Sequence, residues 1–546
     1  MINGSWNKTD QNVQREYVND SFAAAASANS YRFNKGDPKA TSEYIYENQR
    51  EDATRVVNMF DDEIRAVSIQ KKTKVGADGL MLEIVRQMTT HRNPFSKKPI
   101  ESVRILTAMS NLDWEKDMID KAPDCLKQNI FHHGKLKKAD LVDLRNGLIF
   151  IDEIDTGDKE EQRMADMLKA SGILDVKHMK DHNNHFVFIS ATMLKELYDL
   201  YKWGPIHGLI TMTIPQNYIG HGDFLNKGII KEFFALDTPK AAEKWVMEDI
   251  LDNYGSDYRI HICRSTKKNS GTVQNACIKN EVMFIKHDSK DRIPAEELNL
   301  LFSGVLSKHV VVMVKGFFRR ANLIPNDWKL RIGTIHEQFS KQVDNSVQAQ
   351  GLVGRLTGYW RNLIEDGHKT GPYRTSMKAI REYEQCYKEP FGKNNYQSNG
   401  FKMRKGEVSA DNTILSPHNI ANLNYEPEFT VSVPRVDLKN YKIFKDEKTA
   451  RSLCKVLSYG FRKLKDMDDN GFYMTSLNTK KAVVSQAQAI QKVRTAYGTN
   501  NGKITYRTYY PCYEDITDKT TLRYVVIIRP DDKNSDKLRN WETENP

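Results

Sequence analysis

Leu148-Ile149-Phe150-Ile151-Asp152-Glu153-Ile154-Asp155 is the stretch on which the reading of this chain turns. Four apolar residues followed by adjacent carboxylates predict a buried parallel strand that delivers Asp152 and Glu153 to its C-terminal edge. Open α/β sheets bind their ligands at that edge. Paired carboxylates there suit nucleotide hydrolysis, in which one helps to hold Mg²⁺ and the next polarises the attacking water. The plainer reading is an acidic loop or helix start, so the companions of the strand carry the argument.

Upstream, the spacing predicts a helix over Tyr44 to Phe60, with Gln49 near its start, then a short strand from Ala66 to Ile69. The run Gln70-Lys71-Lys72-Thr73-Lys74-Val75-Gly76-Ala77-Asp78-Gly79 follows and leads into a helix from Leu80 to Met88. Strand, glycine-containing loop and helix in that order present backbone N–H groups to phosphates. A second strand, Val103 to Ala108, leads toward Trp114, and a third, Phe186 to Ile189, ends in Ser190-Ala191-Thr192. The alternation restarts with strands at Tyr258 to Cys263, Val282 to Ile285, His309 to Val314 and Leu330 to Ile335, among helices that include Ala295 to Leu306 and Ser346 to Trp360. Such alternation predicts two α/β units with largely parallel sheets.

The expected divisions are a mobile N-terminal arm over 1–40, a first lobe over 41–235, a second over 236–365, a linker over 366–430 and an α+β accessory module over 431–546. The arm is rich in Asn, Ser, Asp and Lys with little periodicity. The linker carries Gly, Asn, Ser and Lys clusters. In the last module a helix from Glu447 to Leu464 accompanies strands Ile504 to Tyr510 and Arg523 to Ile528.

A chain of 546 residues exceeds what one core can organise. Lys and Arg number 82 against 71 Asp and Glu, a formal charge of +11 that favours a polyanionic partner such as nucleic acid. The six cysteines form no CxxC pair, which speaks against a zinc site or disulfide framework and for a reducing, intracellular compartment. Phe22 to Ala26, the longest apolar feature near the N-terminus, falls far short of a signal or membrane-spanning segment, so neither secretion nor a membrane is expected.

Taken together, these segments resemble the superfamily 2 helicases, the DEAD/DEAH-like group, over residues 41 to 365. Asp152 to Asp155 looks like motif II, Ser190-Ala191-Thr192 like motif III, and Gln350-Gly351-Leu352-Val353-Gly354-Arg355 like motif VI. Lys315 to Pro325 and Gly354 to Trp360 are most similar to helicase-like proteins of large DNA viruses and phages. The resemblance implies two tandem RecA-like lobes with ATP and Mg²⁺ in the cleft between them and nucleic acid across the top. It implies that Asp152 and Glu153 serve the metal and water, Arg355 the γ-phosphate, and Gln49 the adenine, with Gln350 beside Arg355 and with Ser190 and Thr192 bonding within the lobes. A viral origin places the protein in host cytoplasm or virion.

The phosphate loop departs from the family pattern. Aligning Thr73 and Gly76 with TGxGKT puts Ala77 where the lysine belongs and Asp78 where the metal-binding hydroxyl belongs. Losing that lysine removes charge-assisted bonds of about 1.5–3 kcal/mol each, and a carboxylate facing a triphosphate adds repulsion. Gly358 stands where a second motif VI arginine is expected. A helicase-like nucleic-acid binder with weakened or lost hydrolysis is therefore expected. The alternatives are an active ATP-dependent translocase that uses Lys74 as a substitute, and a structural or virion interaction protein.

Candidates for nucleic-acid contact are Trp114, Arg319, Arg320, Arg507 and Tyr509. Aromatics interleaved with cations can stack bases and hold phosphates. Each has a bland counterpart: a core anchor for Trp114, a solvated loop for the Arg319-Arg320 pair, and a half-buried sheet for Tyr509. The C-terminal module is the expected site of a protein partner.

Overall fold

The computed structural model describes residues 11–60, 63–90, 100–109, 112–135, 137, 141–142, 144–266, 268–288, 290–316, 318, 323–404, 407–423, 441–459, 466–477, 480–486, 488–489, 509–528, 537 and 541. These fall into two compact units, one essentially reaching Tyr425 and the other from Glu426 onward.

The larger unit holds two six-stranded sheets. Strands β1 (Ala66–Gln70), β2 (Ser102–Thr107), β3 (Ile130–His132), β4 (Gly147–Asp152), β5 (His185–Ser190) and β6 (His207–Thr211) form the first, in the order β3-β2-β4-β5-β1-β6. Every pairing is parallel. Strands β1, β4 and β5 are buried along their whole length, which their unbroken apolar runs require when helices cover both faces. The register sets Asp152 beside Thr107 and Ile189, and Gln70 beside Ser190. The start of the phosphate loop, the acidic pair and Ser190 thus leave the sheet at one edge.

The second sheet takes β7 (Ile230–Glu232), β8 (Ile260–Arg264), β9 (Met283–His287), β10 (Val310–Val314), β11 (Ile332–His336) and β12 (Tyr373–Thr375), in the order β7-β12-β11-β8-β10-β9 and again all parallel. The two lobes are thus tandem α/β units, each built on an all-parallel six-stranded sheet. At the C-terminal ends of β8 and β11, Arg264 and Glu337 form a buried ion pair at 3.0 Å. Burial works to raise the Glu337 carboxyl, but Arg264 outweighs it and holds the group below its ordinary range. Glu337 also accepts the Leu352 N–H at 2.8 Å, which anchors the segment from Gly351 to Arg355.

Three parts of the unit differ from expectation. Gln11–Asn34 is a 24-residue helix, α1, rather than an aperiodic arm. The run Ala23 to Ala26 favours helix intrinsically, while buried Val18 and Phe22 dock it and the Gln14 amide donates to the Ile100 carbonyl at 3.2 Å. Residues 366–423 are not a linker but part of both lobes. They supply β12, a helix over Met377–Lys388, and a buried strap in which Ile414 and Leu415 pack against Phe188 and Trp203. Apolar residues of this strap are separated by polar clusters, so their shared burial leaves no periodic signal. Finally, the helix expected over Ser346 to Trp360 is broken into Asn345–Gln350 and Leu352–Arg355. Gly351 lies at the break, where a Cβ would sit 2.5 Å from Glu337 Oε2.

The smaller unit is α+β: an antiparallel sheet of Tyr441–Phe444, Leu522–Ile527 and Tyr509–Tyr513, with a helix over Glu447–Val456 and a hairpin of Thr475–Leu477 with Lys480–Ala482. Among the described residues no helix is long and apolar enough to cross a membrane. All six cysteines are buried thiols.

Candidate functional site

The acidic strand ends in a strained turn. Glu153 adopts φ 54°, ψ 44°, a left-handed conformation that costs a non-glycine residue about 1–3 kcal/mol. The turn swings Glu153 and Asp155 toward the end of β5. Ser190 Oγ donates to Asp155 Oδ1 at 2.8 Å, and Thr192 Oγ1 donates to Asp155 Oδ2 at 2.8 Å. From the second lobe, Gln350 Nε2 reaches Thr192 Oγ1 at 2.7 Å and Glu153 Oε2 at 3.0 Å. The acidic turn, the Ser-Ala-Thr strand end and Gln350 of the second lobe therefore share one buried network across the cleft.

Lys71, which the sequence offers beside Lys72 and Lys74 only as a possible substitute for the missing phosphate lysine, completes it. The Lys71 ammonium lies 2.7 Å from Asp152 Oδ1 and 3.2 Å from Glu153 Oε1. Burial alone would push this ammonium toward neutrality, but the two carboxylates outweigh it and hold the group above its ordinary range. Trp114 Nε1 donates to Asp152 Oδ2 at 2.9 Å, so Trp114 is a buried anchor of the acidic pair. The pairing of Lys71 was hidden because it needs β1 and β4 to leave one sheet edge, a fact of topology rather than of spacing.

α2 (Glu47–Met59) and α3 (Ala77–Thr90) frame the loop between Lys71 and Gly76, which turns through left-handed residues Lys74 (φ 55°) and Gly76 (φ 87°). Gln49 packs over it, accepting the Tyr46 N–H at 2.9 Å and donating to the Gly76 carbonyl at 2.7 Å. A Cβ at Gly76 would meet Gln49 at 2.2 Å, so this position combines a positive φ with close approach. Thr73 Oγ1 is 2.9 Å from Thr357 Oγ1 of the second lobe. Ala77 begins α3. Asp78 is paired at 2.5 Å with Lys121, at the end of α4 (Leu112–Lys121). Burial works to raise the Asp78 carboxyl, yet Lys121 brings it down to about 2.

The second lobe contributes Arg355 and Lys329, exposed to only 1 % and 2 %. The Lys329 ammonium donates to Asn326 Oδ1 at 2.8 Å and to the Thr357 carbonyl at 2.7 Å. Burial, then Arg355, lowers it to about 7. Tyr359 stacks on Tyr46 with ring centroids 4.7 Å apart and planes 6° from parallel, and its hydroxyl donates to the Val75 carbonyl at 2.7 Å.

These groups line a cavity of about 580 Å³, which also meets Ala24, Ala28 and Arg32 of α1. Its size and its cations suit a nucleoside triphosphate. A phosphate-loop strand, an acidic strand and a Ser-Ala-Thr strand end face a glutamine and arginine from a second parallel lobe.

Comparison with solved structures finds distant likenesses. The chain is similar to S. cerevisiae Dbp5 bound to RNA and ADP BeF3, at TM-score 0.38 and 12% identity over 68% of this chain and 93% of that one. It is similar to the Escherichia coli DEAH/RHA helicase HrpB at TM-score 0.39 and 11% identity, over 60% of this chain and 42% of that one. A DEAD box protein from Methanococcus jannaschii gives TM-score 0.33 and 12% identity over 62% and 90%. No protein-family model and no curated sequence matches the chain. Residue roles are therefore read from the geometry alone.

Of the nucleic-acid candidates, Arg319, Arg320 and Arg507 lie outside the described residues. Tyr509 is fully buried in the C-terminal unit, stacked on Tyr524 at 5.8 Å and donating its hydroxyl to Glu447 at 2.9 Å. A ring with no open face cannot stack a base, so Tyr509 is a core residue.

Proposed function

We propose that this chain is an intracellular, virus-encoded, helicase-like protein that binds nucleic acid across its lobes and a nucleoside triphosphate between them, with ATP hydrolysis weakened or lost. The observation that carries the reading is the contact of Lys71 with both Asp152 and Glu153. In this arrangement the acidic pair does not fit Mg²⁺. One Asp152 oxygen accepts from Lys71 and the other from Trp114, while Glu153 is occupied by Lys71 and Gln350. Hard cations need such oxygens free. No hydrolytic step is routed through a metal there. Ala77 and Asp78 support the same conclusion, since neither can replace the side chain expected of a phosphate loop and Asp78 is committed to Lys121. The net charge of +11 supports a polyanionic partner.

A second reading, an active translocase with a substitute lysine, is favoured by the place of Lys74 in the cavity wall. The two are separated by nucleotide binding and nucleic-acid-stimulated ATPase, measured on the wild type beside an Ala77→Lys/Asp78→Thr variant. The proposal expects binding without robust turnover in the wild type and in this variant, where Lys71 still occupies the acidic pair, and turnover gained only when Lys71→Ala is added to it. Robust wild-type turnover overturns it. Binding to neither nucleotide nor nucleic acid would leave an interaction protein, in a virion or elsewhere.

A further inference from the structure

The walls of the interlobe cavity carry charges of both signs, but they do not cancel evenly. On the first lobe, Asp78 is paired with Lys121, Asp117 with Lys39, Asp124 with Lys127, and Asp152 and Glu153 with Lys71. Among the described residues, Lys74 and Lys329 form no ion pair, and the Lys74 ammonium has no hydrogen-bond acceptor. Both line the cavity beside Arg355. Burial, then Arg355 and Lys121, pushes the Lys74 ammonium well below its ordinary range, and the opposing pull of Asp78, itself paired with Lys121, does not offset them.

Their positions match two absences. Ala77 stands where the phosphate-loop lysine is expected, and Lys74 lies in the same loop. Gly358 stands where a second arginine is expected after Arg355, and a Cβ built on Gly358 would fall 2.7 Å from Lys329 Nζ. A side chain at 358 and the Lys329 ammonium compete for one space. The Lys74 carbonyl is 3.8 Å from the same Cβ position, so the backbone of the loop passes beside this space across the cleft.

At the other end of the cavity, the groups that could read a base are already used within the chain. Tyr359 covers one face of Tyr46, and the Gln49 amide bonds at its oxygen to Tyr46 N–H and at its nitrogen to the Gly76 carbonyl.

We propose that Lys74 and Lys329, one from each lobe, form with Arg355 a relocated phosphate grip, and that the cavity selects its ligand by the triphosphate chain rather than by the base. This rests on the reading of the cavity as a nucleoside triphosphate site. The chain of phosphates crosses from the loop to the motif VI helix and draws the lobes together. The base remains at the cavity mouth or displaces Tyr359 from Tyr46, with no bond that discriminates purine from pyrimidine.

Calorimetric titration of the full-length protein with ATP, GTP, CTP, UTP and inorganic tripolyphosphate, in buffer with EDTA, tests this. The five ligands are expected to bind within about threefold of one another. Lys74→Ala and Lys329→Met should each weaken all five by about tenfold or more, as loss of a charge-assisted bond implies. Circular dichroism and urea unfolding establish that each variant is folded, and if Lys329→Met is not, Lys74→Ala alone decides the grip. ATP binding more than tenfold above the other nucleotides, with tripolyphosphate silent, would overturn this inference and leave the nucleotide reading intact. Unchanged affinity in folded variants would overturn the grip alone. Failure of all five ligands to bind would overturn both.

Discussion

Gln350 of the second lobe places its amide 3.0 Å from Glu153 Oε2 of the first, with both side chains buried. The same nitrogen bonds Thr192 Oγ1, so one side chain connects the acidic turn to the end of β5. Replacing it with alanine leaves a buried carboxylate and a hydroxyl short of a donor. Gln350→Ala is expected to lower stability by about 1–3 kcal/mol, read by urea unfolding of the full chain. A loss below about 0.5 kcal/mol would show that the network does not join the lobes.

Lys71 answers a different question. Lys71→Ala strips two buried carboxylates of their cation, and breaking a buried pair in this way costs about 3–5 kcal/mol. The same change should open the acidic pair to a divalent cation. Titration with Mg²⁺ or Mn²⁺ is expected to show a site in the variant that the wild type lacks, and Mg²⁺ should restore part of the lost stability. Equal metal affinity in both proteins would mean that Lys71 does not occupy the metal position.

The pH dependence of ligand binding follows from Lys329. Burial, then Arg355, sets its ammonium at about 7 in the free protein. Above that pH the folded chain holds fewer protons than the unfolded one, so this group adds stability to the unliganded fold as pH rises from about 7 toward about 10. A bound triphosphate reverses the preference and recharges the lysine. Affinity should therefore fall as pH rises above 7, with proton uptake detectable by calorimetry in buffers of different ionisation enthalpy. Lys329→Arg, charged throughout, should flatten this component.

The strap over the first lobe provides a test of the fold. Leu415 is fully buried, and its carbonyl accepts the Trp203 Nε1 proton at 2.8 Å. Leu415→Ala is expected to cost about 2–5 kcal/mol, measured by urea unfolding with Trp fluorescence. A change within about 0.5 kcal/mol would restore residues 366–423 to the status of a linker.

The sequence by itself determined the buried strands and their alternation with helices over most of the two lobes. Leu148 to Ile151 had to be a buried strand, because nothing else accommodates an apolar run of that length ending in carboxylates. The alternation of such runs with helices required parallel sheets. Ser190, Thr192, Gln350 and Arg355 were legible as site candidates because the runs that hold them resemble helicase motifs. What only the tertiary structure decided is which charges face one another. Lys71 and Lys74 are three positions apart, yet one neutralises the acidic pair and the other lines the cavity without a carboxylate. Lys329 is separated from Arg355 by a strand and a broken helix, yet its ammonium lies in the space that a side chain at Gly358 would need. Local periodicity reports burial, which is a property of one element at a time. Ion pairing depends on the register between strands and the break at Gly351, where differences of a few ångströms select the partner.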